Sequence, residues 1–338
     1  MTKSDISEIK ELLSVPKNIV IVPHKNPDGD AMGSALALYH YLKKFKHKAI
    51  VITPNDYPTF LKWLPGNDSV LIHDYDQQKS NTLLKNADII FTLDFNALHR
   101  AGYMEKGIEA SKAIKILIDH HQQPDNFAKY IYSDVSMCST AQMIYHFIEM
   151  LGDESLIDVE IATCLYVGIM TDTGSFRFRS TTSTTHRVVA NLIEKGADNA
   201  SIHNNVYDTN SYDRLQLLGC ALKNLKYIED LNTAYITLSQ KELDDHNFKK
   251  GDTEGVVNYA LSLKGIVFAA IFIENHSEGI IKISFRSKGA FDVNTFARDH
   301  FNGGGHINAA GGRSEMDLKT TIEKFISILP AYKEDLKS

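Results

Sequence analysis

Aspartate and histidine recur in four short segments, each just beyond an apolar run. His24, Asp28 and Asp30 lie in PHKNPDGDA, Asp94 in FTLDFN, Asp119, His120 and His121 in ILIDHH, and Asp172 in GIMTDTGSF. Carboxylates gathered in one crevice repel one another unless positive charge sits between them. A lone metal ion takes three or four such ligands, whereas four Asp and two His are enough for two ions sharing a bridging carboxylate. Mixed oxygen and imidazole ligation suits Mn²⁺, with Mg²⁺, Co²⁺ or Fe²⁺ as alternatives, and gives no reason to favour a thiolate-bound structural zinc. Two ions about 3.5–4 Å apart can hold a bridging hydroxide and clamp a phosphoryl oxygen. Each segment alone has a plainer reading: Asp28 or Asp30, for instance, could simply cap the helix that follows. His40, His47, His73, His146 and His203 fall outside the four segments and are read as ordinary structural or surface residues.

For these segments to meet, neighbouring strands must deliver them to one edge of a sheet. The first half of the chain alternates short Ile/Val-rich runs, read as strands over 18–23, 49–52, 88–93, 114–118 and 130–132, with helical patterns over 29–44, 140–151, 158–170 and 183–195. Strands buried on both faces and separated by helices imply a parallel sheet in an α/β domain. In such a sheet, residues past the carboxyl ends of adjacent strands converge on one crevice. Three of the four segments follow strands; Asp172 follows a helix. The pattern changes near Gly196. A connecting helix is expected over 210–225, then strands over 233–238, 265–274 and 279–287, the last two flanking the turn NHSEG. A helix over 292–300, a glycine loop and a helix over 318–328 complete a smaller, mixed α+β domain. The expected boundaries are 1–195 for the first domain, 196–228 for the connection and 229–338 for the second.

The second domain carries its own anion-binding signal. Along 280–287, Ile281, Ile283 and Phe285 alternate with Lys282, Ser284 and Arg286, which puts the polar set on one sheet face. Arg can clamp a phosphate through two parallel hydrogen bonds. Nearby, Gly303, Gly304 and Gly305 precede His306; glycines permit close backbone approach, and successive free N–H groups can cradle an anion. In the first domain Arg100 follows Asp94 closely. Ser139 and Thr140 begin a helix and either cap it or meet a phosphate at its N-terminus. Phe176, after Asp172, either stacks on a base or is buried.

Composition narrows the partners. The 338 residues are 43% hydrophobic and 23% charged, with 42 acidic against 36 basic residues and a net charge of −6. Such a chain folds; it is neither disordered nor fibrous. With no basic stripe, a long polyanion is not the expected ligand, while a short, locally gripped anion is. No apolar run reaches the length of a membrane span, and MTKSDISEIKELL has no signal-peptide core, so a cytoplasmic protein is expected. Cys138, Cys164 and Cys220 are too scattered for a disulfide framework or a zinc knuckle.

As an ordered set, PHKNPDGDAMGSALAL, LDFN, the Asp119-His120-His121 triplet, GIMTDTGSF and FNGGGHINAAGG resemble the motifs of the DHH phosphoesterase superfamily and its DHH-associated C-terminal domain, above all the small two-domain NrnA-like branch. The resemblance covers nearly the whole chain. It implies an N-terminal parallel-sheet DHH domain with the active site in the interdomain cleft. It implies that His24, Asp28 and Asp94 hold one ion and Asp30, Asp94, His120 and Asp172 the other, with Asp94 bridging and central to catalysis. Asp119 would orient its neighbours, and His121 would contact the scissile phosphate or only tune it by hydrogen bonding. Arg100, Arg286, Ser284, Gly303, Gly304, Gly305 and His306 would bind substrate. The activity implied is a two-metal, Mn²⁺-dependent phosphoesterase: an exonuclease for short single-stranded oligoribonucleotides that also removes the 3′-phosphate of 3′-phosphoadenosine 5′-phosphate (pAp). A phosphodiesterase for cyclic or linear diadenylates (c-di-AMP, pApA) would use the same centre. A nucleotide-binding regulatory protein with an inactive site is the reading from another class. No long duplex and no membrane are expected as partners, and a homodimer is left open.

Overall fold

Short apolar runs become strands, and the unbroken ones over 19–23 and 89–93 are buried on both faces. The computed structural model, which describes residues 1–337, has six parallel strands in its first unit, Met1–Thr209. The elements run α1 (Lys3–Leu12), β1 (Asn18–Pro23), α2 (Gly29–Lys43), β2 (Lys48–Thr53), β3 (Leu71–Ile72), α3 (Gln77–Asn86), β4 (Ile89–Leu93), α4 (Glu105–Ala110), β5 (Ile114–Asp119), β6 (Tyr130–Ser133), α5 (Thr140–Met150), α6 (Val159–Asp172), α7 (Ser183–Glu194) and α8 (Asn199–Tyr207). The strand order is β3-β2-β1-β4-β5-β6, so the winding direction reverses between β1 and β4. Ligands of open α/β sheets bind at the carboxyl ends of the two strands flanking such a reversal. Ile19, Ile21, Phe91 and Ile118 face a core shared with Met32, Leu36, Phe147 and Leu165 of α2, α5 and α6. Val20, Val22 and Ile90 face the other way, onto Leu84, Ala101, Met104 and Ile108.

Register sets the level of the site. Pro23 pairs with Leu93, and Leu93 pairs with Ile118. The residues that follow, His24, Asp94 and Asp119, therefore reach the edge of the sheet side by side. The helices α2 and α6 cross closely because glycines stand at the contact: a Cβ on Gly29 would lie 2.3 Å from Thr171 Oγ1, and one on Gly33 2.5 Å from the Cys164 carbonyl oxygen. That crossing brings Asp30, in the first turn of α2, toward Asp172, the last residue of α6.

The second unit begins at Asn210 and contains α9 (Tyr212–Lys223), β7 (Lys226–Ile228), β8 (Thr233–Leu238), α10 (Gln240–Asp245), α11 (Val257–Leu261), β9 (Phe268–Asn275), β10 (Ile280–Ser287), α12 (Val293–Phe301), β11 (Gly304–His306), β12 (Ala309–Ser314) and α13 (Leu318–Ile328). Its mixed sheet has the order β11-β12-β10-β9-β8-β7, with β8 and β9 parallel and the other pairs antiparallel. Phe268, Phe272, Phe285, Phe296, Phe301 and Phe325 build the core under α12 and α13. Ala234, Ile236, Ala269 and Ile271 face Leu217 and Ala221 of α9 on the opposite side.

The stretch expected to connect the domains, 196–228, is shared out. Ile202 and Val206 of α8 pack in the first unit's core, while α9 packs in the second's. The expected glycine loop is corrected: Gly304–His306 is a strand, antiparallel to Ala309–Ser314. Glycine carries no strand signal of its own, yet here it is what allows the strands to pair. A Cβ on Gly303 would meet the Gly311 carbonyl oxygen at 2.0 Å, and one on Gly305 (φ +153°) the Ala309 carbonyl oxygen at 2.5 Å. The helices α1, α3, α4, α8, α10 and α11 are likewise absent from the expectations above. In α3 only Ser80 and Leu84 are buried, too few to make a 3.6-residue period visible.

Candidate metal centre and anion-binding face

Eight of the singled-out residues gather at the carboxyl edge of the first sheet. His24 Nε2 lies 3.7 Å from Asp28 Oδ2 and 3.5 Å from Asp94 Oδ2. His120 Nε2 lies 3.7 Å from Asp30 Oδ2, 3.6 Å from Asp94 Oδ1 and 3.4 Å from Asp172 Oδ2. Asp94 thus turns one oxygen to each histidine. All of these distances exceed an N–H···O hydrogen bond of about 2.7–3.2 Å. Two ligands each about 2.1 Å from one ion stand roughly 3.0–3.4 Å apart at bond angles of 90–110°. The spacing therefore suits ligands gathered around a cation with only a slight contraction.

The rings are oriented for that purpose. His24 Nδ1 is 2.8 Å from the Lys25 carbonyl oxygen, and His120 Nδ1 is 3.1 Å from that of Met137. A carbonyl can only accept, so each Nδ1 carries a proton and each Nε2, the atom that would bind a metal ion, faces the carboxylates. His121 differs: its Nδ1 is 2.7 Å from Asp119 Oδ1 and 3.7 Å from Asp94 Oδ1. Asp119 is wholly buried, and its Oδ2 has no hydrogen-bond partner among the described residues.

Burial makes the electrostatics severe. Asp30 and Asp94 are 1% and 2% exposed. Burial, then repulsion from Asp94, Asp172 and Asp28, pushes the Asp30 carboxyl well above the ordinary carboxylate range. Burial would push Asp94 the same way, but His24 and His121 hold it below its usual value. For His24, burial favours the neutral ring, yet Asp28 and Asp94 outweigh it and its pKa is pushed up to about 10. A cluster that raises one carboxyl and forces a proton onto a buried imidazole is short of positive charge, which fits divalent ions. The open side is formed by Asp28 and Asp172, whose side chains are 46% and 28% exposed.

Several supports were not anticipated. Asp28 does cap α2, accepting from Asp30 N and Ala31 N, and still faces His24. Asp30 is no cap; its oxygens accept from Thr140 N at 2.6 Å and Ala141 N at 2.8 Å, at the start of α5. The anion at that helix N-terminus is therefore a carboxylate of the protein itself. Thr140 Oγ1 donates to Asp94 Oδ1 at 2.9 Å, and Ser139 caps the helix. Asp94 itself has φ +64°, a left-handed conformation that costs a non-glycine residue about 1–3 kcal/mol and that Asp and Asn tolerate best. The one visible signal was the pair Ser139-Thr140; nothing in the sequence ties it to Asp30. Phe176 is half-buried, its ring edge-on to Tyr166.

Arg100 is half-buried in the 3₁₀ segment Leu98–Met104, which leaves the end of β4. In the second unit, Arg286 and His306 both pair with Ala309, and Ser284 and Gly304 both pair with Gly311. Residues in one cross-strand row share a sheet face, so Arg286, Ser284 and His306 lie on the face opposite the phenylalanine core, with only Ala309 and Gly311 between them. The expectation of three free glycine amides is corrected. Gly303 N donates to the Ala297 carbonyl oxygen at 3.1 Å and Gly305 N to Asn294 Oδ1 at 2.9 Å, because the hairpin is pinned to α12.

Comparison with known proteins agrees along the chain. Residues 18–169 match the DHH family, N-terminal domain, and residues 231–334 match the DHHA1 domain. The bifunctional oligoribonuclease and PAP phosphatase NrnA of Thermus thermophilus is 31% identical over 98% of this chain and 93% of its own length. The cyclic-di-AMP phosphodiesterase GdpP of Bacillus subtilis is 26% identical over 96% of this chain and 49% of its own. An exopolyphosphatase-related protein from Bacteroides fragilis has a crystal structure that superimposes with a TM-score of 0.94 at 39% identity, covering 100% of this chain and 98% of that one. No helix among the described residues is long and apolar enough to cross a membrane.

Proposed function

The chain belongs to the DHH family, and on that premise we propose that it is a two-metal, Mn²⁺-dependent phosphoesterase that degrades short oligoribonucleotides and removes the 3′-phosphate of pAp. The observation that carries this reading is the division of Asp94, one oxygen toward His24 and the other toward His120. In this reading His24, Asp28 and Asp94 hold one ion, and Asp30, Asp94, His120 and Asp172 the other. Ions held there would polarise the phosphoryl oxygens and lower the pKa of an attacking water. The protein's own groups do the rest. Thr140 and the first amides of α5 keep Asp94 and Asp30 from turning away. Asp119 holds the Nδ1 proton of His121, which leaves Nε2 to contact the scissile phosphate. When the ring is protonated, Nε2–H donates to a phosphoryl oxygen or to the leaving oxygen, and Asp119 stabilises that cation. Arg100 meets a substrate phosphate beside the centre. Arg286, Ser284 and His306 are read as the anion grip of the second unit, with Gly303, Gly304 and Gly305 keeping that hairpin narrow enough for close approach.

The similarity to a c-di-AMP phosphodiesterase over nearly all of this chain favours a second reading, hydrolysis of c-di-AMP or pApA. Product analysis with Mn²⁺ separates the two. Wild type should release phosphate from pAp and mononucleotides from a 5′-labelled trinucleotide, and Asp94→Ala should do neither. Cleavage confined to c-di-AMP or pApA would put the second reading first. Nucleotide binding without turnover would favour a regulatory protein with an inactive site.

A further inference from the structure

Two short segments flank the winding reversal on the side away from α2, and each brings a cation. Lys25 follows His24 at the end of β1; Arg100 and Tyr103 follow Asp94 at the end of β4. Lys25 N donates to the Arg100 carbonyl oxygen at 2.7 Å, which ties the segments together. Tyr103 is 80% exposed, although its neighbours Ala101 and Met104 are wholly buried in the core with Val22 and Phe95. The ring therefore stands in water on a rigid base. Gly102 between them has φ +59° and ψ −132°, a conformation open in practice to glycine alone. A Cβ there would meet Lys25 Cδ at 3.1 Å, so its absence also lets the lysine stem lie against the turn. The ammonium of Lys25 is then 5.9 Å from the Tyr103 ring centroid. No ion pair among the described residues engages Lys25 or Arg100.

We propose that Tyr103 is a stacking platform for the nucleobase of the substrate, with Lys25 and Arg100 gripping the phosphate attached to that nucleoside. This rests on the phosphoesterase reading and deepens it: the site selects nucleotides over phosphate esters or polyphosphates that lack a base. The centre beside it is crowded with carboxylates, so an anionic substrate needs cations at the rim, and two unpaired ones stand there. A base offers what an exposed, rigidly mounted phenol ring takes best, a flat π face that excludes water from both surfaces.

The test is calorimetric titration of the Mn²⁺-loaded protein with AMP and with ribose 5-phosphate, for wild type, Tyr103→Ala and Tyr103→Phe, together with pAp kinetics. Stacking on one aromatic ring predicts that Tyr103→Ala binds AMP about tenfold or more weakly. Ribose 5-phosphate binding should stay within about twofold, and Tyr103→Phe should restore AMP binding. In kinetics the Ala variant should raise KM for pAp about tenfold and leave kcat within about threefold. If Tyr103→Ala binds AMP like wild type, or loses AMP and ribose 5-phosphate equally, the platform is overturned while the phosphoesterase reading stands. A wild type that binds no nucleotide overturns both.

Discussion

Gly168→Ala is the substitution for which simple helix propensity and the packing of the metal centre give opposite signs. Gly168 lies inside α6, where Ala is worth about 1 kcal/mol more than Gly. By that reasoning the variant is more stable. The structure says otherwise: the new Cβ would sit 2.4 Å from Ala141 Cβ and 2.9 Å from Asp30 Oδ1. Neither neighbour is the loose end of a long side chain. Ala141 Cβ is fixed to the backbone of α5, and Asp30 is held by the amides of Thr140 and Ala141. Relief requires α5 and α6 to separate, which costs about 1–3 kcal/mol as overpacking. It also stretches the two backbone hydrogen bonds to the Asp30 carboxyl, each worth about 0.5–1.5 kcal/mol. Against the propensity gain, the net loss is roughly 1–5 kcal/mol. For a unit of this size that corresponds to a Tm lower by several °C by scanning calorimetry of the metal-free protein. Because Asp30 moves with the helices, the Mn²⁺ concentration for half-maximal activity should rise about tenfold or more. The control is Gly219→Ala in α9, where an added Cβ meets nothing within 4 Å; there propensity acts alone and Tm should rise by about 2–4 °C. An unchanged or higher Tm for Gly168→Ala, with unchanged Mn²⁺ dependence, would refute the claim that this glycine spaces the centre.

Three further outcomes follow from single groups. Asp119→Asn keeps an acceptor for His121 but loses the carboxylate charge beside its ring; kcat should fall about 10–100-fold, while bound Mn²⁺ measured by atomic absorption stays at wild-type content. Arg286→Lys keeps the charge but not the two-pronged geometry, so KM should rise about tenfold with little change in kcat, and an equal loss in kcat would place Arg286 elsewhere in the mechanism. Burial, above all, depresses the imidazole pKa values of His47 and His73, so the neutral rings contribute stability that is present above pH ~6.5 and lost as the pH falls through the depressed values. Both rings should titrate below ~6.5 by NMR, and a midpoint at or above that value would sink the assignment.

Much of the first unit was legible because its signals are local and repeated. β1 and β4 are the runs NIVIVP and IIFTL, buried on both faces along nearly their whole length, so no 3.6-residue alternation suggests a helix. The alternation of Ile281, Ile283 and Phe285 with Ser284 and Arg286 likewise survives into β10, where the first set is buried. What failed was short or polar. Leu71–Ile72 is a two-residue strand, α3 buries almost nothing, and Gly304–His306 pairs only through a close approach that glycine permits and no propensity announces.

The metal centre shows the same limit from the other side. Residue types singled out the candidate ligands, since Asp and His recur beyond the strand ends and at the end of α6. Their arrangement depends on relations that no stretch of sequence carries. One is register: if β4 slipped by one residue against β1, Asp94 would leave the sheet at a different level from His24, and its side chain would turn to the other face. Another is the approach of α2 to α6, set by Gly29, Gly33 and Gly168, without which Asp30 and Asp172 could not both face His120. The last is the start of α5, whose amides spend their orphan hydrogen-bonding capacity on Asp30. A helix N-terminus that holds a buried carboxylate cannot also hold a substrate phosphate. Substrate phosphates are then left to groups other than the start of α5, which is the work proposed for His121, Lys25, Arg100 and Arg286.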